Sequence, residues 1–71
     1  MAGSVYKVIE IIGTSDTSWE EAAKMAVEEA ASHLEDLRVA EIEQLDMHIV
    51  DNKVVAYRAK VSVSFKYHRE A

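Results

Sequence analysis

Apolar residues along this chain change their period twice. From Ser4 to Ile12 the run SVYKVIEII is rich in β-branched residues and too apolar for a solvated loop. It predicts a first strand, ended by Gly13 and the turn-forming cluster Thr14-Ser15-Asp16-Thr17. Beyond Ser18 the spacing lengthens to that of a helix. Trp19, Ala22, Ala23, Ala26, Val27, Ala30, Ala31 and Leu34 form one stripe, and Lys24, Glu28, Glu29, Ser32 and Glu35 fall off it. Ser18-Trp19-Glu20-Glu21 reads as a capping box, in which the Ser18 hydroxyl takes an orphan N–H and Glu21 reaches back. Glu20 and Glu21 also suit the positive end of the helix dipole. A stripe made mostly of alanine predicts a helix lying close against a sheet.

Two further strands are expected, from Val39 to Val50 and from Lys53 to about Tyr67. The last alternates cleanly, with Val55, Tyr57, Ala59, Val61, Val63 and Phe65 on one face and Arg58, Lys60, Ser62 and Ser64 on the other. Asp51-Asn52 suits a two-residue hairpin turn, since both residues tolerate the left-handed conformation. The order is β-α-β-β, an α+β fold with a three-stranded antiparallel sheet. A two-residue turn at Asp51-Asn52 sets a register in which Glu43 faces Lys60, Ile42 faces Val61 and Ala40 faces Val63. A bulge in the second strand would break that register locally.

At 71 residues the chain is a single domain, spanning 1–71. Its net charge of -5 argues against a nucleic-acid module, which needs a basic face to release phosphate counterions. The absence of Cys excludes disulfides, thiolate zinc sites and cysteine nucleophiles. No apolar run approaches the ~20 residues of a membrane span, and the N-terminus lacks a signal-peptide layout, so a soluble, cytoplasmic domain is expected.

Geometry then raises a burial problem. A strand of about 14 residues is near 45 Å long at ~3.3 Å per residue. A helix of about 18 residues spans only ~27 Å. One helix cannot cover such a hairpin, and three strands leave open edges. Domains below ~80 residues rely on disulfides, metals or oligomerisation, so other copies of the chain are expected to cover the excess.

Motifs for catalysis are missing. Two glycines cannot make a dinucleotide-binding or P-loop fingerprint, and His33, His48 and His68 have no metalloprotease spacing. The turn from Gly13 to Ser18 joins a strand to a helix N-terminus, where backbone N–H groups can hold phosphate; a capped turn explains it equally well. Glu41 and Glu43 stand at i, i+2 on one strand face, with Gln44 and Asp46 on the other. Carboxylates of this kind suit calcium or magnesium, although two cannot complete a calcium shell of about 6–8 oxygens without symmetry mates. The alternative is a solvated face paired with Lys60.

Three segments carry a family resemblance. The opening Val5-Tyr6-Lys7-Val8-Ile9-Glu10-Ile11-Ile12-Gly13-Thr14-Ser15, the helix start Ser18-Trp19-Glu20-Glu21-Ala22 and the strand Val61-Ser62-Val63-Ser64-Phe65 resemble the dodecins. The resemblance covers essentially the whole chain. It implies a β-α-β-β protomer whose sheet wraps around the helix, assembled as a hollow homododecamer. It further implies a storage or buffering protein, not an enzyme, that binds flavins (riboflavin, FMN or FAD) and in some members coenzyme A.

Carried onto this sequence, the resemblance places Val39 where the family stacks a tryptophan on the flavin ring. It places Arg58 where a glutamine hydrogen-bonds the flavin edge, with Gln44 close to the same site. The hairpin register puts Val39 and Arg58 on one sheet face. Losing the stack and the amide contacts removes several kcal/mol, so tight flavin binding is not expected. The segment Val39 to Gln44 is similar to the tryptophan-lacking calcium dodecin branch. Calcium is therefore the ligand the resemblance implies, with Glu41, Glu43 and Asp46 as candidate ligands. A flavin or coenzyme A carrier and a purely structural shell are the other readings.

Overall fold

A computed structural model describes residues 3–67 of the chain, so His68 lies outside the described residues. The elements follow the order β1 (Tyr6–Ser15), α1 (Trp19–Ala31), β2 (Leu37–Val50) and β3 (Lys53–Lys66). They form one antiparallel sheet in the spatial order β1-β3-β2, so the last strand is central and β1 and β2 are its edges. The α+β, β-α-β-β architecture is as expected.

The first strand does not stop at Gly13 but continues to Ser15. The reason lies across the sheet face. A Cβ on Gly13 would fall on the Ala22 carbonyl and 2.9 Å from the Ala26 Cβ. Gly13 is thus where α1 presses its backbone onto β1, and its lack of a side chain serves packing rather than a turn. The same closeness explains the alanine stripe: Ala22, Ala26 and Ala30 are the buried positions of the helix.

Ser18 caps α1, its hydroxyl accepting from the Glu21 backbone N–H at 3.0 Å. The expected reciprocal bond from Glu21 is replaced by Ser15, whose hydroxyl accepts from the N–H groups of Thr17 at 2.9 Å and Ser18 at 3.4 Å. The helix has 13 residues, not 18, and so spans only about 20 Å. It ends at Ala31 because Ser32, His33 and Leu34 turn the chain with bonds back to Glu29 and Ala30, and Asp36 then takes a left-handed conformation (φ 60°).

Asp51 and Asn52 form the two-residue turn, both with positive φ (53° and 62°). From that turn the expected hairpin register holds only in part. Ile42↔Val61 and Ala40↔Val63 are as expected, but Lys60 faces Gln44 and not Glu43. Glu43 is an extra residue in β2, at a register shift between Ile42 and Gln44, and Val55 is a compensating extra residue in β3 near the turn. Between these two irregularities every pair is offset by one.

The core is small. Ala59, Val61 and Val63 of β3 meet Ala22 and Ala26, with Ile9, Ile11, Val27 and Leu37 packed around them. Val61 and Val63 are the largest fully buried side chains. Burying a valine contributes about 1.5–3 kcal/mol, whereas ordering each residue costs on the order of 1–2 kcal/mol in backbone entropy alone. The helix covers β1 and β3 and leaves the same face of β2 open: Ile42, Leu45 and Met47, the neighbours of Val61, Ala59 and Tyr57, are 45–48% exposed. The Cα radius of gyration is 14.9 Å, against about 11 Å for a compact chain of this length. The overall extents are 56 × 20 × 15 Å.

Candidate functional site

The sheet face turned away from α1 carries the residues singled out from the sequence. In an antiparallel pair, directly opposed residues share a face. Along β3 the outward row is Arg58, Lys60, Ser62 and Ser64, since Ala59, Val61 and Val63 point into the core. The β2 residues opposite that row are Asp46, Gln44, Glu41 and Val39. On β1 they are Thr14, Ile12, Glu10 and Val8.

This arrangement corrects one expectation and supports another. Glu41 was expected on the face opposite to Gln44 and Asp46. The extra residue at Glu43 shifts the alternation, so Glu41, Gln44 and Asp46 all lie on the outward face. Val39 and Arg58 do share that face, as expected. Glu43 occupies the bulge and leaves the ladder; the Glu43–Lys60 pairing does not form. Lys60 instead approaches Glu10 of β1, Nζ to Oε1 at 3.7 Å.

The dominant interaction of the face joins Arg58 to Asp46. The guanidinium donates from Nε to Oδ1 at 2.7 Å and from Nη2 to Oδ2 at 2.9 Å, a bidentate pair between directly opposed residues. Both side chains remain substantially exposed, at 45% and 37%. The hydrogen bonds from Arg58, reinforced by its charge, hold the Asp46 carboxyl below its ordinary 3.8 despite slight desolvation. The hydrogen bonds to Asp46 in turn raise the guanidinium pKa, so that it stays protonated.

A depressed carboxylate pKa sets the sign of the pH effect. The pair's contribution is complete above the ordinary carboxylate range and is lost as pH falls through the lowered value. We expect the Asp46 carboxyl to titrate below 3.8 by carbon-detected NMR and to return to that value in Arg58→Gln. An unshifted midpoint in the parent protein would show that the pair does not persist in solution.

Three features of the sheet escaped the sequence reading. Trp19 donates its indole N–H to the Asp46 carbonyl at 3.0 Å and meets Tyr57 edge-on, with ring centroids 5.2 Å apart. Helix α1 is thereby tied to β2 at the residue that holds Arg58. The Ser64 hydroxyl donates to the Val39 carbonyl at 3.3 Å. The third feature is the Arg58–Asp46 pair itself, for which the sequence held a signal. The uniform register sets Arg58 against Leu45 and Asp46 against Tyr57, a mismatch of charge and apolar side chain that an offset of one resolves.

Among the described residues, no three His, Asp or Glu side chains come together to hold a metal ion. Glu41, Glu43 and Asp46 therefore form no closed set within one chain. Of the histidines, His33 sits beside Glu29 one helical turn away, Nε2 to Oε2 at 3.2 Å, and His48 faces Ala56 near the hairpin tip. An apolar groove of about 660 Å³ opens between β1 and α1, lined by Ile9, Ile11, Met25 and Leu34 among others. No helix among the described residues is long and apolar enough to cross a membrane.

Comparison with known proteins agrees with this architecture. The family model described as Dodecin matches residues 5–68. The "Calcium dodecin" of Mycobacterium tuberculosis (strain ATCC 25618 / H37Rv) is 52% identical over 63 residues, which is 89% of each chain. A crystal structure of the Mycobacterium tuberculosis protein, described as a calcium-chelating immunodominant antigen with a novel calcium-binding site, superimposes with a TM-score of 0.84 at 48% identity. That match covers 96% of this chain and 97% of the other. Dodecin from Streptomyces coelicolor superimposes with a TM-score of 0.91 at 27% identity, over 99% of this chain and 100% of that one. With its strand order, helix placement and sequence all in agreement, the chain belongs to the dodecin family.

Proposed function

We propose that this chain is a non-enzymatic binding and storage protein, assembled as a homododecamer, that takes up calcium rather than flavin. The observation that carries this reading is the composition of the outward sheet face. Strand β2, LRVAEIEQLDMHIV, contains no Trp, Tyr or Phe, and the stacking position is an exposed valine, Val39. The position implied for the flavin-binding amide is Arg58, whose guanidinium is engaged by Asp46. The same strand supplies Glu41, Glu43 and Asp46, oxygen ligands of the kind hard cations take. The 52% identity to a protein named calcium dodecin points the same way.

A calcium ion needs about 6–8 oxygens, and one chain cannot supply them from this face. The site is therefore completed by other copies. Assembly also answers the burial problem: the chain exposes 5564 Å², about 1,100 Å² more than the ~4,450 Å² typical of a compact 8.0 kDa protein. The open row Ile42, Leu45 and Met47 is apolar surface of the kind such contacts bury.

Native mass spectrometry, with and without chelator, tests both halves. The expected result is a twelve-chain mass carrying ions that chelator removes. Calcium at 100 times its Kd should then add about 2.7 kcal/mol to stability, and Glu41→Gln with Asp46→Asn should reduce that gain. A stable monomer would overturn the assembly, and flavin-sized adducts without bound ions would overturn the ligand.

A further inference from the structure

Two apolar surfaces flank helix α1, one toward each edge of the sheet. Toward β2 stands the row Ile42, Leu45 and Met47, each 45–48% exposed and continued by the smaller Ala40. No charged or polar side chain interrupts that row. Toward β1 lies the groove of about 660 Å³, with Ile9, Ile11 and Gly13 as its floor and Met25 and Leu34 on its helix side. Its charged groups, Glu29 and His33, pair with each other at the solvent edge and leave the floor apolar.

The two surfaces match in length, chemistry and shape. The row faces Val61 to Tyr57 of β3, four strand steps or ~13 Å. The groove floor from Ile9 to Gly13 is also four strand steps, ~13 Å. One surface is a ridge and the other a hollow. They lie toward opposite edges of one sheet, with α1 between them, so a chain cannot join its own two. A two-fold contact sets like against like, ridge on ridge, and leaves the hollow empty. A head-to-tail contact fills every groove with a neighbour's row. The area suffices, since the ~1,100 Å² in excess of a compact protein compares with ~800 Å² buried per partner in a stable interface.

We propose that the groove between β1 and α1 is the docking site for the Ile42, Leu45 and Met47 row of a second copy of this chain, repeated head to tail around a closed ring. Contacts of this type either close or extend without limit. In the homododecamer proposed above they close, and the ring size divides twelve. The inference rests on the assembly half of that reading and is independent of calcium.

The chain has no Cys, so engineered thiols report the contact cleanly. Met25→Cys and Leu45→Cys in one chain, treated with a short bismaleimide crosslinker, should give a covalent ladder on a denaturing gel. That ladder should pass dimer and stop at the ring size. Co-expressed chains carrying one substitution each should give dimers of one Met25→Cys chain and one Leu45→Cys chain, and nothing larger. Leu45→Cys crosslinking to itself as completely as to Met25→Cys would put ridge against ridge and overturn the head-to-tail contact.

Leu45→Asp gives a second readout, because it places a charge in the groove of the neighbour. Light scattering should show the parent multimer lost to smaller species, with the far-ultraviolet circular dichroism of the fold retained. An unchanged multimer would overturn the contact. A parent multimer in which positions 25 and 45 do not crosslink would overturn it too, while leaving the assembly standing. A monomeric parent would overturn both.

Discussion

Gly13→Ala should destabilise this protein by about 3 kcal/mol, the upper end of what overpacking costs. The added methyl would fall on the Ala22 carbonyl, which is backbone and cannot rotate away, and would crowd the Ala26 Cβ. Relief requires α1 to lift off β1, and that opens the contact with Ala59 and Val61, which make up much of the core. Thr14→Ala is the control. It alters the next residue of the same strand, on the outward face, and should change stability by less than about 0.5 kcal/mol. Denaturant midpoints at matched protomer concentration measure both. Equal midpoints for Gly13→Ala and the parent would show that the helix and strand are not in backbone contact.

Restoring the family's aromatic stack should have a comparably large effect on ligand choice. In Val39→Trp with Arg58→Gln, the indole stands on the outward face of β2 and the amide on the same face of β3. Each aromatic stack adds roughly 0.5–1.5 kcal/mol beyond its buried area. Two symmetry-related stacks plus the amide contacts amount to about 2.7 kcal/mol, which is a hundredfold in affinity. Riboflavin fluorescence quenching should report that gain. No gain would mean that Val39 and Arg58 do not mark the flavin position of this chain.

What could be read from the sequence was whatever is decided by neighbours along the chain. Ser18 caps a helix because the N–H groups it satisfies lie within three residues. Asp51 and Asn52 turn because both accept positive φ. The alternation in β3 names the core valines directly. Events decided across the sheet were less legible. Gly13 resembles a turn residue until the helix backbone is seen against it. The extra residue at Glu43 is invisible to periodicity, yet it brings Glu41, Gln44 and Asp46 onto one face and sets Asp46 opposite Arg58. The helix ends three residues before Leu34 because the turn after Ala31 is closed by bonds to Glu29 and Ala30, a choice that no apolar stripe encodes.

Trp19 gives the protein an optical reporter on the strand that carries Asp46. It is the only tryptophan in the chain, so its ultraviolet emission comes from one place in each protomer. Its indole N–H rests on the main chain of Asp46, and its ring edge meets Tyr57, a natural donor for energy transfer. Motion of β2 at that residue therefore alters both the polarity around the emitter and its distance from the tyrosine. A change at the Arg58–Asp46 pair that moves the Asp46 main chain should register in Trp19 emission, without a dye. A second indole at position 39 would blur that signal, so the flavin experiment is best read from the flavin and the cation experiment from Trp19.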